Sequence, residues 1–398
     1  MVVTAMALAT LLGFAGLAAD VGFAWNKRRQ LQTAADAAAL AAEHELLAGQ
    51  SGALVQSATD DAARNGFTAG VGDATLTVNN PPASGLYAGN SQAVEVIVSQ
   101  PQPAFFLRVL GFASLAASAR AVAASTSAST CVYVLDPNAD AALMLEHGAH
   151  VTMQCGVLVD STSPTALVAS SGSSLSAPSI GVVGSYSSDG GSSLHPAPTS
   201  SIATVQDPLA DLEPPAVGAC NYTSYVVSHG SQATLNPGVY CNGISVTDGA
   251  SATLNPGLYV LDGGGLTVEG GARLSGSGVV FYNTQGAAAY GPLVLANGSQ
   301  VTLAAPLSGP LAGILFFQDR AVASPPPSVV ANGSQASLTG VLYLPTSTLS
   351  FANGSGAAGA WTVLVARDLA FTNGSTDIAA DYSSMPAGSP IRQAVLVE

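Results

Sequence analysis

The chain has 398 residues, enough for two or three structural units, and is 48% hydrophobic but only 9% charged. A cytoplasmic enzyme carries about a quarter charged residues; here 43 glycines and abundant Ser, Thr, Ala and Asn describe a secreted repeat protein wetted by hydroxyls and amides. The formal charge is -14, and outside Lys27-Arg28-Arg29 the arginines are scattered, which excludes nucleic-acid binding, where clustered cations must displace counterions.

Residues 1–25, MVVTAMALATLLGFAGLAADVGFAW, form one apolar run with Asp20 as its sole charge. As a helix it reaches roughly 37 Å, enough for a hydrocarbon core of about 30 Å. A cleaved signal peptide needs a basic start and a shorter apolar stretch, so the run reads as an uncleaved anchor. It continues into NKRRQLQTAADAAALAAEHELLA, rich in helix formers, and the pattern predicts one helix from about residue 3 to about residue 48, leaving the bilayer near Trp25. Lys27, Arg28 and Arg29 follow the run, which by the positive-inside rule would put the bulk of the chain in the cytoplasm. The cysteines point the other way and carry more weight, so a basic segment is expected upstream of the present start. Asp20 costs a few kcal/mol inside a bilayer unless paired or near its surface. It is expected at the outer headgroup level beside Trp25 and Lys27, with a partner helix or the translocation machinery as the functional alternative.

In residues 49–125, DATLTVNN and QAVEVIVSQ alternate in the manner of strands, PAFFLRVLGF suggests a short amphipathic helix, and SLAASARAVAAS reads as a returning strand. A long helix followed by a small sheet is a pilin-like α+β plan, and the Ala/Ser/Thr run at 121–130 reads as a linker.

The stretch LLGFAGLAADVGFAWNKRRQLQTAADAAALAAE is very similar to the N-terminal motif of TadE/TadG-like Flp (tight-adherence) pilus assembly proteins. VEVIVSQPQPAFFLRVLGFASLAASARAVA resembles the segment that follows in the same group, so the resemblance covers most of residues 7–124. It implies an inner-membrane anchor and an extracytoplasmic body working with a pilus secretion system. The chain departs from the family pattern in one respect: members usually carry an Arg-rich stretch ahead of the apolar run and this sequence begins without it, which bears on orientation and the start rather than on the family.

From about residue 130 the chain repeats itself. LNPGVY at 235–240 recurs as LNPGLY at 254–259; GSQATL, GASATL and GARL, then NGSQVTL, NGSQASL, NGSG and NGST, continue the series, and HGAHVTM and SGSSLSA are earlier, degenerate copies. Between them lie strands too short for an independent sheet, such as LYVL, VVFY, ILFF and VLYL. A repeat near 20 residues suits one turn of a right-handed parallel β-helix, with Gly and Asn-Gly supplying positive φ at the corners; an antiparallel sandwich is the competing architecture. Phrases such as AGILFFQDR and WTVLVARDLAFTNGS also occur behind the membrane segment of TadG-like proteins.

Cys131, Cys155, Cys220 and Cys241 form no zinc-type spacing, and an even count favours disulfides in an oxidising compartment. Three pairings are formally possible; the local ones, Cys131 with Cys155 and Cys220 with Cys241, are expected, joining adjacent turns and clamping the first rungs, where a solenoid frays. Buried free thiols are the alternative. A glycan hydrolase needs two carboxylates at defined separation. The candidates, Asp136, Asp140, Glu146, Asp207, Asp211, Glu213, Asp248, Asp262, Glu269, Asp319, Asp368 and Asp377, mostly sit at strand ends and corners, so no enzyme, cofactor or metal is expected. Glu146, His147 and His150 in EHGAH read as a corner rather than a metal site, DPLADLEPP as a solvated loop rather than a Ca²⁺ site, and Asp319-Arg320 as a local ion pair. A flat ice-binding face would want Thr-x-Thr arrays, which do not recur.

The expected organisation is therefore an anchor helix over 1–48, a pilin-like module over 49–125 and a parallel β-helix over 126–398. The expected function is a non-enzymatic, single-pass inner-membrane protein with its bulk periplasmic or on the cell surface, structural or adhesive in Tad/Flp pilus assembly. Its partners would be the membrane, pseudopilins and secretion proteins; a membrane-tethered protein that binds or cleaves a surface glycan is the alternative.

Overall fold

The structure, a computed structural model, describes residues 2–286, 288–386 and 388–398; the side chains of residues 2, 3, 5–10, 12, 110, 127 and 356–358 lie outside the description. The chain forms two units, one of residues 1–127 with 392–398 and one of residues 128–391.

In the first unit, helix α1 spans Val2–Leu47. Its C-terminal half buries Leu31, Ala34, Ala35, Ala38, Ala39 and Ala42, one stripe at the i, i+3, i+4, i+7 spacing. Small side chains let α1 approach both helix α2 (Leu54–Arg64), through Leu54, Ala58 and Ala62, and a sheet, through Val94, Val96 and Val98. No helix among the described residues is long and apolar enough to cross a membrane; the expected anchor falls partly on residues whose side chains are outside the description.

The sheet runs β1 (Thr75–Asn79), β2 (Ala93–Pro103), β3 (Ser114–Ser127), then the C-terminal strand Arg392–Leu396, all antiparallel. Three readings need correction here. PAFFLRVLGF holds only a short 3-10 turn, Leu107–Leu110, stopped by Gly111 at φ 92°. The linker expected at 121–130 is mostly the end of β3. The chain's last residues belong to this sheet rather than to the repeats, because the outer edge of β3 would otherwise present unpaired backbone groups.

The second unit is rich in parallel strands. Gln232 pairs with Ser251, Ser251 with Arg273, Arg273 with Gln300, and Gln300 with Gln335, each a rung apart in sequence. Two further ladders run alongside, one starting at Tyr222 and Thr223 and one at Tyr225 to Val227, so each rung contributes to three. Gly238–Val246 and Gln335–Ala352 are long enough to turn a corner and serve two ladders. The pairings between them therefore close into a ring of eight strands.

Alternation decides what faces inward. Along the Gln232 ladder Leu235, Leu254, Leu274, Leu303 and Leu338 are buried while Thr234, Thr253, Ser275 and Thr302 are exposed. Aromatic rings stack through the interior from Tyr222 to Tyr240, Tyr259, Phe281 and Phe316, with centroids 4.5 to 5.8 Å apart. The LNPGVY repeat follows from this stack. The Tyr240 hydroxyl donates to Asn236 O, and that of Tyr259 lies 2.7 Å from Asn255 O, so each ring satisfies the corner four residues before it. Gly257 sits at φ 141°, where a Cβ would come within 2.4 Å of Pro237 of the preceding copy. At the next corner two residues in succession take positive φ: Asp248-Gly249, Asn297-Gly298, Asn332-Gly333 and Asn353-Gly354. Asparagine amides link these corners, Asn353 to Asn332 and Asn332 to Asn297.

The rungs do not stack in sequence order. The last, Thr362–Thr372 with Ser375–Ile378, pairs with the first, through Leu364 to Val132, Leu369 to Leu143 and Ser375 to His150. Residues 130–200 continue from that seam in one direction. A strandless strap over residues 202–221 then carries the chain back along the stack to begin again at Tyr222. The strap is held at Val205 by Asp160 (2.6 Å), at Asp207 by the Tyr343 hydroxyl (2.6 Å), and at Leu209 and Leu212 by the Arg320 guanidinium, which lies over the Phe317 and Tyr343 rings.

Two outcomes are expected. Phe281→Ala, which opens the centre of the ring stack, lowers stability by about 3–5 kcal/mol, measured by denaturant unfolding of the parent and variant. Replacing Cys131 and Cys155 together by Ala costs about 3 kcal/mol, the entropy of a loop of this length; unchanged denaturation midpoints would refute either claim.

Candidate functional site

Alternating faces place the sheet's polar cluster in the first unit. Val94 and Val96 face α1, so Glu95 points to the other side, diagonal to Arg120 on β3. Glu95 is fully buried and accepts from Arg120 Nε, Asn79 (2.7 Å) and Ala83 N (3.1 Å); Arg120 also grips Glu398. Burial pushes the Glu95 carboxyl up, but hydrogen bonds from Asn79, Arg120 and Ala83 outweigh it and hold the group below its ordinary range. The network fastens the C-terminal residues to the sheet and leaves no free acid or base for chemistry.

The polar residues of α1 separate. Trp25, Arg28 and Arg29 are exposed and Lys27 half-buried. Asp20 is 3% exposed, its carboxylate accepting the backbone N–H groups of Phe105 (3.2 Å), Phe106 (2.9 Å) and Leu107 (2.7 Å). Its partner is thus the chain's own loop, capping the 3-10 turn, an arrangement that nothing in the local sequence around Asp20 announces.

In the second unit disulfides join Cys131 to Cys155 and Cys220 to Cys241, across 24 and 21 residues. The second pins the outermost rung; the first sits beside the seam, because the chain's first rung is internal to the stack rather than at its frayed end. Asp262 lies close to Cys220 and Cys241, and these three form the one cluster of metal-ligand type among the described residues, but both sulfurs are committed to the disulfide. His147 takes positive φ at a corner, and His150 bonds Ser174 Oγ at 2.8 Å on the next rung. Asp319 accepts from Thr284 and Ala321 N while Arg320 holds the strap, so the expected local ion pair gives way to two separate tasks. The acidic loop 207–215 is part of the strap, with Asp207 engaged by Tyr343.

Two carboxylates do meet at the seam. Arg367 Nε lies 2.8 Å from Asp136 and 3.7 Å from Asp368. Burial raises both; hydrogen bonds from Asn138, Arg367 and Ala139 bring Asp136 below its ordinary value, whereas burial and the neighbouring Asp136 charge keep Asp368 raised. Asp136 is occupied in ordering the turn at Asn138 and Ala139. On the outward face of the Gln232 ladder, Gln232, Ala233, Thr234, Ser251 and Thr253 line an open groove of about 180 Å³.

One buried acid lacks such compensation. Glu43 of α1 is fully buried, neither carboxylate oxygen has a hydrogen-bond partner, and burial lifts it to about 7 against the weaker pull of Arg392 and the nearby Ser125 backbone. The folded-state value exceeds the ordinary one, so stability is full below about pH 4.5 and falls by about 3 kcal/mol as pH rises through about 7. Glu43→Gln should therefore raise the thermal midpoint at pH 8 and give no gain at pH 4; parallel pH curves for parent and variant would refute this.

No curated protein and no solved structure matches the chain. Residues 1–51, the stretch that builds α1, match the Tad family model, described as Flp pilus-assembly TadE/G-like.

Proposed function

We propose that the chain is a membrane-anchored, extracytoplasmic structural or adhesive component of Tad/Flp pilus assembly or secretion, whose body is a right-handed parallel β-helix. The observation that carries the pilus reading is the match of residues 1–51 to the TadE/G-like model. The apolar N-terminal half of α1 is the anchor, and the pilus machinery and pseudopilins are the partners. Two disulfides in the body suit an oxidising compartment outside the cytoplasm.

The adhesive surface is the outward face of the Gln232 ladder. Thr234, Thr253, Ser275, Thr302 and Ser337 fall in one register column across successive rungs. Neighbouring strands are about 4.8 Å apart, so the column offers a flat row of hydroxyls at fixed spacing, suited to weak, repeated contact with a surface.

The alternative, a membrane-tethered protein that binds or cleaves a surface glycan, draws on the groove beside Thr234 and on Asp136 with Asp368. The groove is smaller than the roughly 300–1,000 Å³ of ligand-enclosing pockets, and no carboxylate lines it. Adhesion without hydrolysis is the better reading.

Deleting the gene should reduce piliation and attachment together. Complementing with Thr234→Lys, Thr253→Lys and Thr302→Lys combined should restore piliation and leave attachment reduced at least fivefold. Normal piliation after deletion would overturn the assembly role, and full attachment by the triple variant would overturn the adhesive face.

A further inference from the structure

We infer that residues 104–113 form a second membrane-inserted element, a loop seated in the lipid bilayer beside the N-terminal half of α1. The inference rests on the anchor reading and deepens it. Phe105, Phe106, Val109 and Phe112 are 57–89% exposed. They continue a surface already bared on α1, where Leu11, Phe14, Val21 and Phe23 are also exposed. The two parts touch: Phe105 meets Phe23 edge-to-face at 5.9 Å, and the Phe106 ring lies over Gly16, where even a Cβ would come within 2.7 Å of it. Soluble surfaces rarely expose so continuous an apolar patch.

The backbone supplies the second argument. Irregular chain enters lipid only when its N–H groups are satisfied without water. Asp20 accepts those of Phe105, Phe106 and Leu107; Ala104 N donates to Ala113 O, Val109 N to Phe106 O, Gly111 N to Arg108 O and Phe112 N to Leu107 O. A loop in water would have no need of a carboxylate drawn from a distant helix. The same contact gives Asp20 the partners that a charge near lipid requires. Charge complementarity points to phospholipid as the occupant: in a chain of net charge -14, Arg108 in the loop and Lys27, Arg28 and Arg29 just beyond Trp25 are cationic side chains that anionic headgroups would attract.

The test uses the full chain reconstituted into phosphatidylcholine–phosphatidylglycerol vesicles, with an environment-sensitive fluorophore on Val109→Cys, Phe14→Cys or, as control, Val55→Cys, the native cysteines being paired. Lipids carrying a quencher in the acyl chain should dim the labels at 109 and 14 at least twofold and leave the label at 55 unchanged. Quenching at 14 without quenching at 109 overturns this inference and leaves the anchor standing. Quenching at neither position overturns both. A label at 109 that is blue-shifted but unquenched means that protein covers the loop, and also overturns it. Asp20→Ala should abolish quenching at 109 while retaining it at 14; unchanged quenching at 109 would remove Asp20 from the account.

Discussion

A parallel rung cannot stand alone, because both of its edges carry unpaired backbone N–H and C=O groups and its apolar residues find cover only against a neighbour. Every other feature of the body answers that constraint. The inward leucines and the aromatic column are useful only if the next rung repeats them in register. The rung begun at Thr130 has the second rung on one edge and depends, on the other, on strand Thr362–Thr372 from far along the chain. The seam made by Leu364 with Val132 and Leu369 with Leu143 is therefore the join that lets two runs of rungs behave as one stack. The strap follows as a geometric necessity, since chain that has built one run must travel back along it to start the other.

Much of this was legible locally. The recurrence of LNPGVY gives one rung's length, and the Asn-Gly and Asp-Gly pairs mark corners that need two left-handed residues in succession, as Asn332-Gly333 and Asp248-Gly249 adopt. The order of the rungs was not legible, and for a physical reason. All rungs present similar Leu, Val and Ile inward, so nothing in residues 130–134 states whether residues 156–159 or 362–366 will lie beside them; both do. The C-terminal strand was hidden likewise, because QAVLV is a short apolar run like the repeat strands and only the vacant edge of β3 claims it for the other unit.

The candidate site divides along the same line. Cysteine spacing spoke clearly because a rung's length and the separation of the paired residues coincide. Partners remote in sequence left no trace: Asp20 finds its N–H groups on the loop at 105–107, and Arg320 finds carbonyls at 209 and 212 rather than the adjacent Asp319. Helix α2 was missed because LVQSATDDAAR is short and mixed, and acquires its apolar face only where Leu54, Ala58 and Ala62 meet the alanine stripe of α1.

The return of the final residues has a consequence for biosynthesis. A chain delivered from its N-terminus could fold α1 and most of its sheet early, yet the edge of β3 stays open until Arg392–Leu396 emerges. The first rungs likewise wait for residues 362–378. Both units are thus completed late, so a ribosome or export channel that releases a product ending before residue 362 leaves two unsealed sheets at once. Such a product would display open β-edges in both halves, a double mark for quality-control proteases that the finished molecule does not carry.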